Sequence, residues 1–498
     1  MIRKVILLFI CLHSLLFHIL AQKQDYTQNE FHGDSLYVMN PVYEFLTSSD
    51  GGEIFINQQF ARYKEMAPVW DGTKSDNTRF LAKGKSTGRK GTGFSGYAGY
   101  MRGTKENTAW SDVANAPEFY PYLVADSTGG DYRYERYLLG GTLQLQYLKS
   151  RWAMRIDYDG SVHWRRTDPR PKNTVSNLAL TGGYMYESGI GWLGASLSYA
   201  DRKQHVSISI EEDKRKDMFY LLTGMGLFDH RYSTVESNFS RYYRGQSVRS
   251  EITYFRNMNR GWYGTLLYEH SRMNVEENDT RISAFLKNNL LEANAGYQLS
   301  LSEGKRLNSR ISMKHYSRKG YEQIYKLEQS NSQTNVFVPV LLDCSQRTAI
   351  RYDELRVSSI LQMNDRSFIR RAGASLGMDL YDETYESFCI ERALLHAGVN
   401  YEMAIPVKKR KIEISGVHAM RMKLSGSASL PVSNRITEEM ILPDYRYYSR
   451  NSVYNGIGIS YRQSFKHFSL TPMVRMEGEF ASGNRKAYAL TIGLKLNI

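Results

Sequence analysis

Gly91-Thr-Gly-Phe-Ser-Gly96 has the G-x-G-x-x-G spacing with which a strand-to-helix turn presses backbone N–H groups against a pyrophosphate. No apolar strand precedes it and no helical pattern follows, so it reads as a glycine-rich approach to a strand. Gly84-Lys85-Ser86 carries the end of a phosphate-binding loop, but Arg79 stands where that loop's first glycine belongs. The sequence contains no H-E-x-x-H, C-x-x-C or G-x-S-x-G, and its histidines are scattered singly. Metal-dependent hydrolysis, thiol redox and serine-hydrolase chemistry therefore lack their residue sets, and the expectation is a non-enzyme with no metal and no cofactor.

What remains is a row of ionic side chains at alternate positions: Arg155, Asp157, Asp159, His163 and Arg165. His163 and Asp159 share a face, as a hydrolase at a barrel rim would require, but a serine nucleophile would have to come from another strand. A simpler account is that opposite charges pair across an enclosed interior, either lining a water-filled passage or bracing a filled one. These five are the candidate lumen-lining residues.

Such a row needs an extended strand to position it. From Trp152 to Trp164, Trp152, Met154, Ile156, Tyr158, Gly160, Val162 and Trp164 alternate with Ala153, Arg155, Asp157, Asp159, Ser161 and His163. Twelve steps of ~3.3 Å make ~40 Å, and a ~45° tilt converts this to ~28 Å of membrane normal, near the ~25 Å apolar band of an outer-membrane barrel. Trp152 and Trp164 fall where an aromatic membrane girdle would lie. Similar stripes recur at Leu291 to Leu301, Ala393 to Met403 and Phe468 to Phe480, with weaker ones between, while helical spacing is nowhere sustained. Strands of soluble sandwiches average only ~5–6 residues, too short for stripes of this length.

The last residues, Ala487 to Ile498, also alternate, with Tyr488, Leu490, Ile492, Leu494, Leu496 and Ile498 on one side. A closing strand of this kind resembles the C-terminal signal read by barrel-assembly machinery, although the commonest form ends in an aromatic residue and this one ends in Ile498. The fold expected is all-β, a single antiparallel transmembrane β-barrel of about 14 strands, with 12 to 16 admissible, and with long extracellular loops. Short turns such as Glu187 to Gly191 and Ser302 to Arg306 would sit on one side. The long connections expected are Asp213 to Ser247, rich in basic and aromatic residues, the polar Ser317 to Arg351, which contains Cys344, and Ser429 to Asn455, which contains "PDYRYYSRNS".

Composition agrees with export. Arg3 and Lys4 precede an apolar run, Val5 to Leu20, and Ala21 offers a small residue for cleavage, so residues 1–21 read as a secretory signal peptide. No later apolar run approaches the ~18 residues of a membrane helix. Mean hydropathy is −0.49, and loss of Arg3 and Lys4 lowers the formal charge from +14 to +12. That charge suits anionic headgroups, including lipopolysaccharide, or an anion-attracting lumen; nucleic acid is not an expected partner of an exported chain. Only Cys344 and Cys389 follow the leader, allowing at most one disulfide. Residues 22–90 are weakly periodic and admit a plug, an extension or first strands; residues 91–498 are assigned to the barrel.

Two segments carry a family resemblance: Glu118 to Gly141, "EFYPYLVADSTGGDYRYERYLLGG", and Trp164 to Tyr184, "WRRTDPRPKNTVSNLALTGGY". They resemble a family of outer-membrane β-barrel proteins of Bacteroidota, in which a Gly-Asp step precedes a "Y-x-x-G-G" strand and a "D-P-R-P-x-N" connection follows. Here the connection is Asp168 to Asn173, and its prolines suit an exposed link. The resemblance implies location and fold, transfers no catalytic residue, and points to TonB-dependent receptors or lipoproteins as partners in uptake. The expected function is a channel or an accessory for uptake of a small nutrient, with a structural or assembly partner as the alternative and a rim hydrolase as the third reading.

Overall fold

The computed structural model describes residues 39–47, 50–88, 91–211, 217–233, 239–257, 260–277, 281–331, 334–365, 368–407 and 410–498. The signal-peptide reading of residues 1–21 lies outside the described residues. A short helix, α1 (Val42–Thr47), precedes β1 (Gly51–Lys64), β2 (Lys74–Thr87) and β3 (Gly93–Thr108). Helix α2 (Ala116–Phe119) and β4 (Val124–Asp126) follow, then β5 (Gly130–Tyr147), β6 (Ser150–Arg165), β7 (Arg170–Ser188) and β8 (Gly191–Ser209). The hairpin β9 (Asp217–Gly224) and β10 (Leu227–Ser233) leads to β11 (Phe239–Phe255), β12 (Gly261–Glu277), β13 (Arg281–Ser302), β14 (Lys305–Asn331), β15 (Thr334–Asp365) and β16 (Phe368–Tyr385). Strands β17 (Phe388–Val407) and β18 (Arg410–Ser429), helix α3 (Leu442–Tyr448), and strands β19 (Ser452–Ser464), β20 (Ser469–Ala481) and β21 (Arg485–Asn497) complete the order.

Eighteen strands form one sheet in which each pairs antiparallel with its neighbours in sequence, β4, β9 and β10 making a separate small sheet. The sheet closes where β21 pairs β1, from Glu53 opposite Asn497 to Lys64 opposite Lys486. Closure leaves no edge, which is what hydrocarbon demands of a backbone that cannot bond to water. The apolar stripes face outward: Met154, Ile156, Leu197, Ile252, Met476 and Ile492 are exposed on the sheet's outer face. A closed barrel with an apolar outer belt and polar interior is an outer-membrane protein.

The strand number is eighteen, not about 14. Two of the additional strands, β1 and β2, lie in the weakly periodic residues 22–90, and their stripes are broken by Gln58 and Thr78. Pairing on both sides supplies the backbone hydrogen bonds that a weak stripe alone does not promise. The described part of residues 22–90 thus supplies first strands of the sheet, one of the three readings open for it, with β1 beginning at Gly51. Ser317 to Arg351 is not a loop: its described residues belong to β14 and β15, strands of 27 and 32 residues whose tips run past the rest of the wall as a two-stranded ribbon. Cys344 and Cys389, on β15 and β17, are both free.

The two ends differ. Tight turns at 148–149, 189–190 and 303–304 lie at the end where the barrel closes on Gly51 and Asn497. The connections 109–129 and 430–451, and the described residues 217–233 between β8 and β11, lie at the opposite end, where long extracellular loops belong. A charge placed on the outer belt has no such loop to shelter it. Ile156→Lys is expected to destabilise the barrel by about 2–4 kcal/mol, read as a lower urea midpoint for loss of the fast-migrating, heat-modifiable band on an unboiled gel.

Candidate binding site

An eighteen-stranded barrel is wide enough to leave an aqueous channel unless something fills it. Here the long connections fold inward. Trp110, Phe119, Leu123 and Val124 of the 109–129 connection, Phe219 and Leu221 of β9, and Ile436 and Met440 ahead of α3 form one buried cluster. The cluster packs against inward residues along the arc of the wall from β8 to β17: Val206 and Ile208 of β8, Met273 and Val275 of β12, Leu286 of β13, Tyr385 of β16 and Ile390 of β17. It therefore spans the lumen as a cap.

Polar contacts fasten the cap to the wall. The Arg165 guanidinium, almost fully buried, pairs with Asp126, lies 3.3 Å from Asp112 Oδ1 and donates to the Pro169 carbonyl at 2.6 Å. Asn173 Nδ2 donates to the Asp112 carbonyl at 2.8 Å, and its Oδ1 accepts from the Ala114 N–H at 3.2 Å. On the far wall Arg318 Nη1 donates to the carbonyls of Pro117 and Tyr120 at 3.0 and 2.6 Å, and the Tyr243 hydroxyl donates to the Tyr122 carbonyl at 2.9 Å. The two segments carrying the family resemblance are thus a cap segment and its socket. Asp168 and Pro169 are buried in that socket rather than exposed, because the 109–129 connection lies over them.

A second segment enters from the short-turn end. Val42 of α1 is fully buried among Ala153, Met185, Phe255 and Tyr263. Glu251 receives the N–H groups of Met39 and Asn40 at 2.8 and 3.2 Å, and Asn40 Nδ2 bridges the carbonyls of Tyr184 and Ala195, both at 3.0 Å. The wall makes room with glycine: a Cβ on Gly183 would lie 2.3 Å from Asn40 Oδ1, and one on Gly93 2.5 Å from the Phe45 ring. Gly93 belongs to the G-x-G-x-x-G segment, so part of that spacing serves packing.

The five candidate lumen residues all project inward from β6, but they do different things. Arg155 pairs with Asp157 two residues along at 2.8 Å, and Asp157 also accepts the Tyr97 hydroxyl at 2.7 Å. Asp159 is gripped by Arg136 of β5 at 2.8 and 2.5 Å. These pairs run along the wall rather than across the interior, since the lumen is too wide for side chains to meet. His163 lies 3.1 Å from Ser161 Oγ and stacks on Tyr134, with centroids 5.3 Å apart, while Arg136 occupies the carboxylate that a catalytic histidine would need. Arg165 is the cap anchor. Of the girdle candidates, Trp152 is 56% exposed and packs on Tyr184 near the short turns, whereas Trp164, nearer the cap, is only partly exposed.

The group with the most open chemistry is one the stripes do not single out. Between the cap and strands β13 to β17 lies a cavity of about 490 Å³, within the ~300–1,000 Å³ range of small-molecule sites. Its cap side carries Trp70, Tyr120, Asp444, Tyr445 and Tyr448; its wall carries Tyr316, Tyr352, Tyr381, Lys314, Glu383 and Arg392. Lys314 and Leu290 lie furthest from the cap, so the cavity faces the lumen. Glu383 accepts from the hydroxyls of Tyr120 and Tyr381 at 2.6 and 2.8 Å. Asp444 Oδ1 accepts the Val69 N–H at 3.0 Å, while its buried Oδ2 has no hydrogen-bond partner among the described residues. Burial pushes the Asp444 carboxyl up to about 8; the Val69 N–H opposes this and Asp71 adds to it. The side chains here are far apart in sequence, and their juxtaposition has no local signature.

A family model described as "Family of unknown function (DUF6850)" matches residues 23–496. The chain belongs to that family. No curated protein matches it. Solved structures that it resembles include the copper transporter OprC, at 7% identity over 91% of this chain and 84% of that one, with a TM-score of 0.40. The siderophore receptor PirA from Acinetobacter baumannii has 8% identity over 91% and 81%, TM-score 0.38. A mutant of the ferric enterobactin receptor PfeA from Pseudomonas aeruginosa has 8% identity over 90% and 81%, TM-score 0.36. Likenesses this remote carry no ligand or mechanism to this member of the family.

Two consequences can be measured. Arg165→Met leaves Asp112 and Asp126 buried without their cation, a loss on the order of 3–5 kcal/mol for a buried pair; rapid thermolysin cleavage within 109–129, with the barrel band intact, is the expected result. Asp444 sets a pH dependence. An unfolded segment releases this proton near pH 4 and the folded one near pH 8, so the folded state holds more protons between those values. Stability of the α3 part of the cap should therefore fall as pH rises from about 4 to about 8. Amide exchange of residues 442–448 should speed up over that window, and Asp444→Asn should flatten the response.

Proposed function

We propose that this outer-membrane barrel captures a small nutrient beneath its cap and works in that nutrient's uptake. The observation carrying this reading is the cap itself, which crosses the lumen and encloses an aromatic and charged cavity on its inner side. A scaffold has no need of such a cavity, and a general diffusion pore would not have its bore crossed by a packed apolar cluster. Arg165 and Arg318 fasten the cap from strands six apart in the sheet of eighteen, so its displacement would be a discrete opening. The wall pairs of β5 and β6 keep the lumen below the cap polar and wettable. Trp152 and Trp164 serve as girdle residues in this reading, and lipopolysaccharide and the barrel-assembly machinery are its expected contacts.

A structural or assembly partner is the second reading. One observation favours it: Ile324, Val340, Leu341 and Leu342 are exposed on the β14–β15 ribbon beyond the wall, where lipid does not cover them. Planar-bilayer recording separates the two readings. The uptake reading expects the native protein to be nearly silent and Arg165→Met to conduct. Equal steady conductance in both would remove the cap as the closing element, and silence in both would favour the partner reading.

A further inference from the structure

We propose that the cavity beneath the cap binds a small organic carboxylate that carries a ring, and that the Arg392 guanidinium receives its carboxylate. This rests on the capture reading above and names the ligand's chemistry.

Arg392 stacks against Tyr381 at 3.9 Å and against Tyr448 at 4.8 Å, one ring from the wall and one from the cap. It makes no hydrogen bond and no ion pair among the described residues. Stacking holds the plane of a guanidinium while leaving its edge donors free, the geometry in which two parallel N–H groups meet the two oxygens of a carboxylate. Arg392 is partly buried and lies in the field of Glu383, whose carboxylate is itself held by two tyrosine hydroxyls, so the guanidinium's edge donors are left for a ligand carboxylate.

The other charges lining the cavity are already engaged. Arg318 is spent on the carbonyls of Pro117 and Tyr120 and on Asn288 Oδ1. Lys314 lies 3.4 Å from Glu292, and Glu383 is held by two tyrosine hydroxyls. Asp444, whose carboxyl keeps its proton up to about pH 8, presents its unpartnered Oδ2 edge as a neutral donor or acceptor rather than as a repelling charge. Among the described residues lining the cavity, one cation without a hydrogen-bonded partner suits a singly charged carboxylate better than a phosphate dianion. The rest of the wall, including Trp70, Tyr316, Tyr352, Tyr445, Leu290 and Ile350, is flat or apolar and fits the face of a ring, whether the C–H face of a sugar acid or an aromatic ring.

The test is calorimetric titration of the full chain, purified in detergent and checked for its heat-modifiable band. The probes are galacturonate and phenylacetate, with galactose and phenylethanol as their uncharged counterparts. Each bound carboxylate should be at least about 10-fold tighter than its neutral counterpart, as a charge-assisted bidentate pair allows. Which of the two carboxylates binds identifies the ring as sugar or aromatic. Arg392→Gln should erase the preference for charge and Arg392→Lys should keep part of it. Leu290→Trp, which fills the cavity from the lumen side without touching Arg392, should abolish binding. Equal affinity for charged and neutral probes, unchanged binding by folded Arg392→Gln, or no binding of either carboxylate would overturn the proposal. Failure here is separable from failure of the uptake reading: solute flux through Arg165→Met in liposomes with no carboxylate binding would sink only the ligand class. Binding of either carboxylate by the native protein, with no solute flux through Arg165→Met, would sink only uptake.

Discussion

The pairing of β21 with β1 is the constraint on which everything else rests. A backbone in hydrocarbon must bond to itself, and for a sheet this means that its first and last strands meet. Once eighteen strands are committed to that closure, the circumference is fixed and the lumen is wider than wall side chains can fill. The charges of β5 and β6 consequently settle into pairs along the wall, and the middle of the barrel is left to chain segments that are not strands.

Those segments meet an interior lined partly by apolar and partly by ionic groups, and their attachment uses both. Near the rim, Val206, Ile208, Val275 and Leu286 offer an apolar collar for Phe119, Leu123 and Phe219. Burying such side chains contributes stability without direction. Direction comes from buried polar contacts, with Arg165 between two aspartates and Arg318 on two carbonyls, which specify where the 109–129 connection lies. The cavity is the space that remains where this connection and α3 stand off from β13 to β17, and its aromatic lining comes from both sides.

Several features were legible in sequence order. The alternation over Trp152 to Trp164 identified a strand and its inward face, and the terminal stripe identified a closing strand, because side-chain direction in a strand has a period of two whatever surrounds it. Others were not. β1 and β2 have interrupted stripes, since a paired strand tolerates Gln58 or Thr78 on its outer face. The tips of β14 and β15 mix polar residues with apolar ones such as Ile324 and Val340 to Leu342 and keep no steady alternation, so they read as a loop. "YPYLVAD" is an unbroken apolar stretch among turn residues, and nothing local distinguishes a cap folded into a lumen from a loop in solvent.

The sequence alone therefore determined what each strand must face, because lipid on one side and a polar interior on the other impose a pattern at every second residue. It also determined that no catalytic residue set is spelled out along the chain. Tertiary structure decided the strand number, the inward course of the long connections and the meeting of Arg392, Tyr381, Tyr448 and Asp444 at one cavity. The physical reason is distance along the chain: periodicity reports a residue's own environment, whereas closure and capping join segments separated by hundreds of residues, and only the folded barrel brings them into contact.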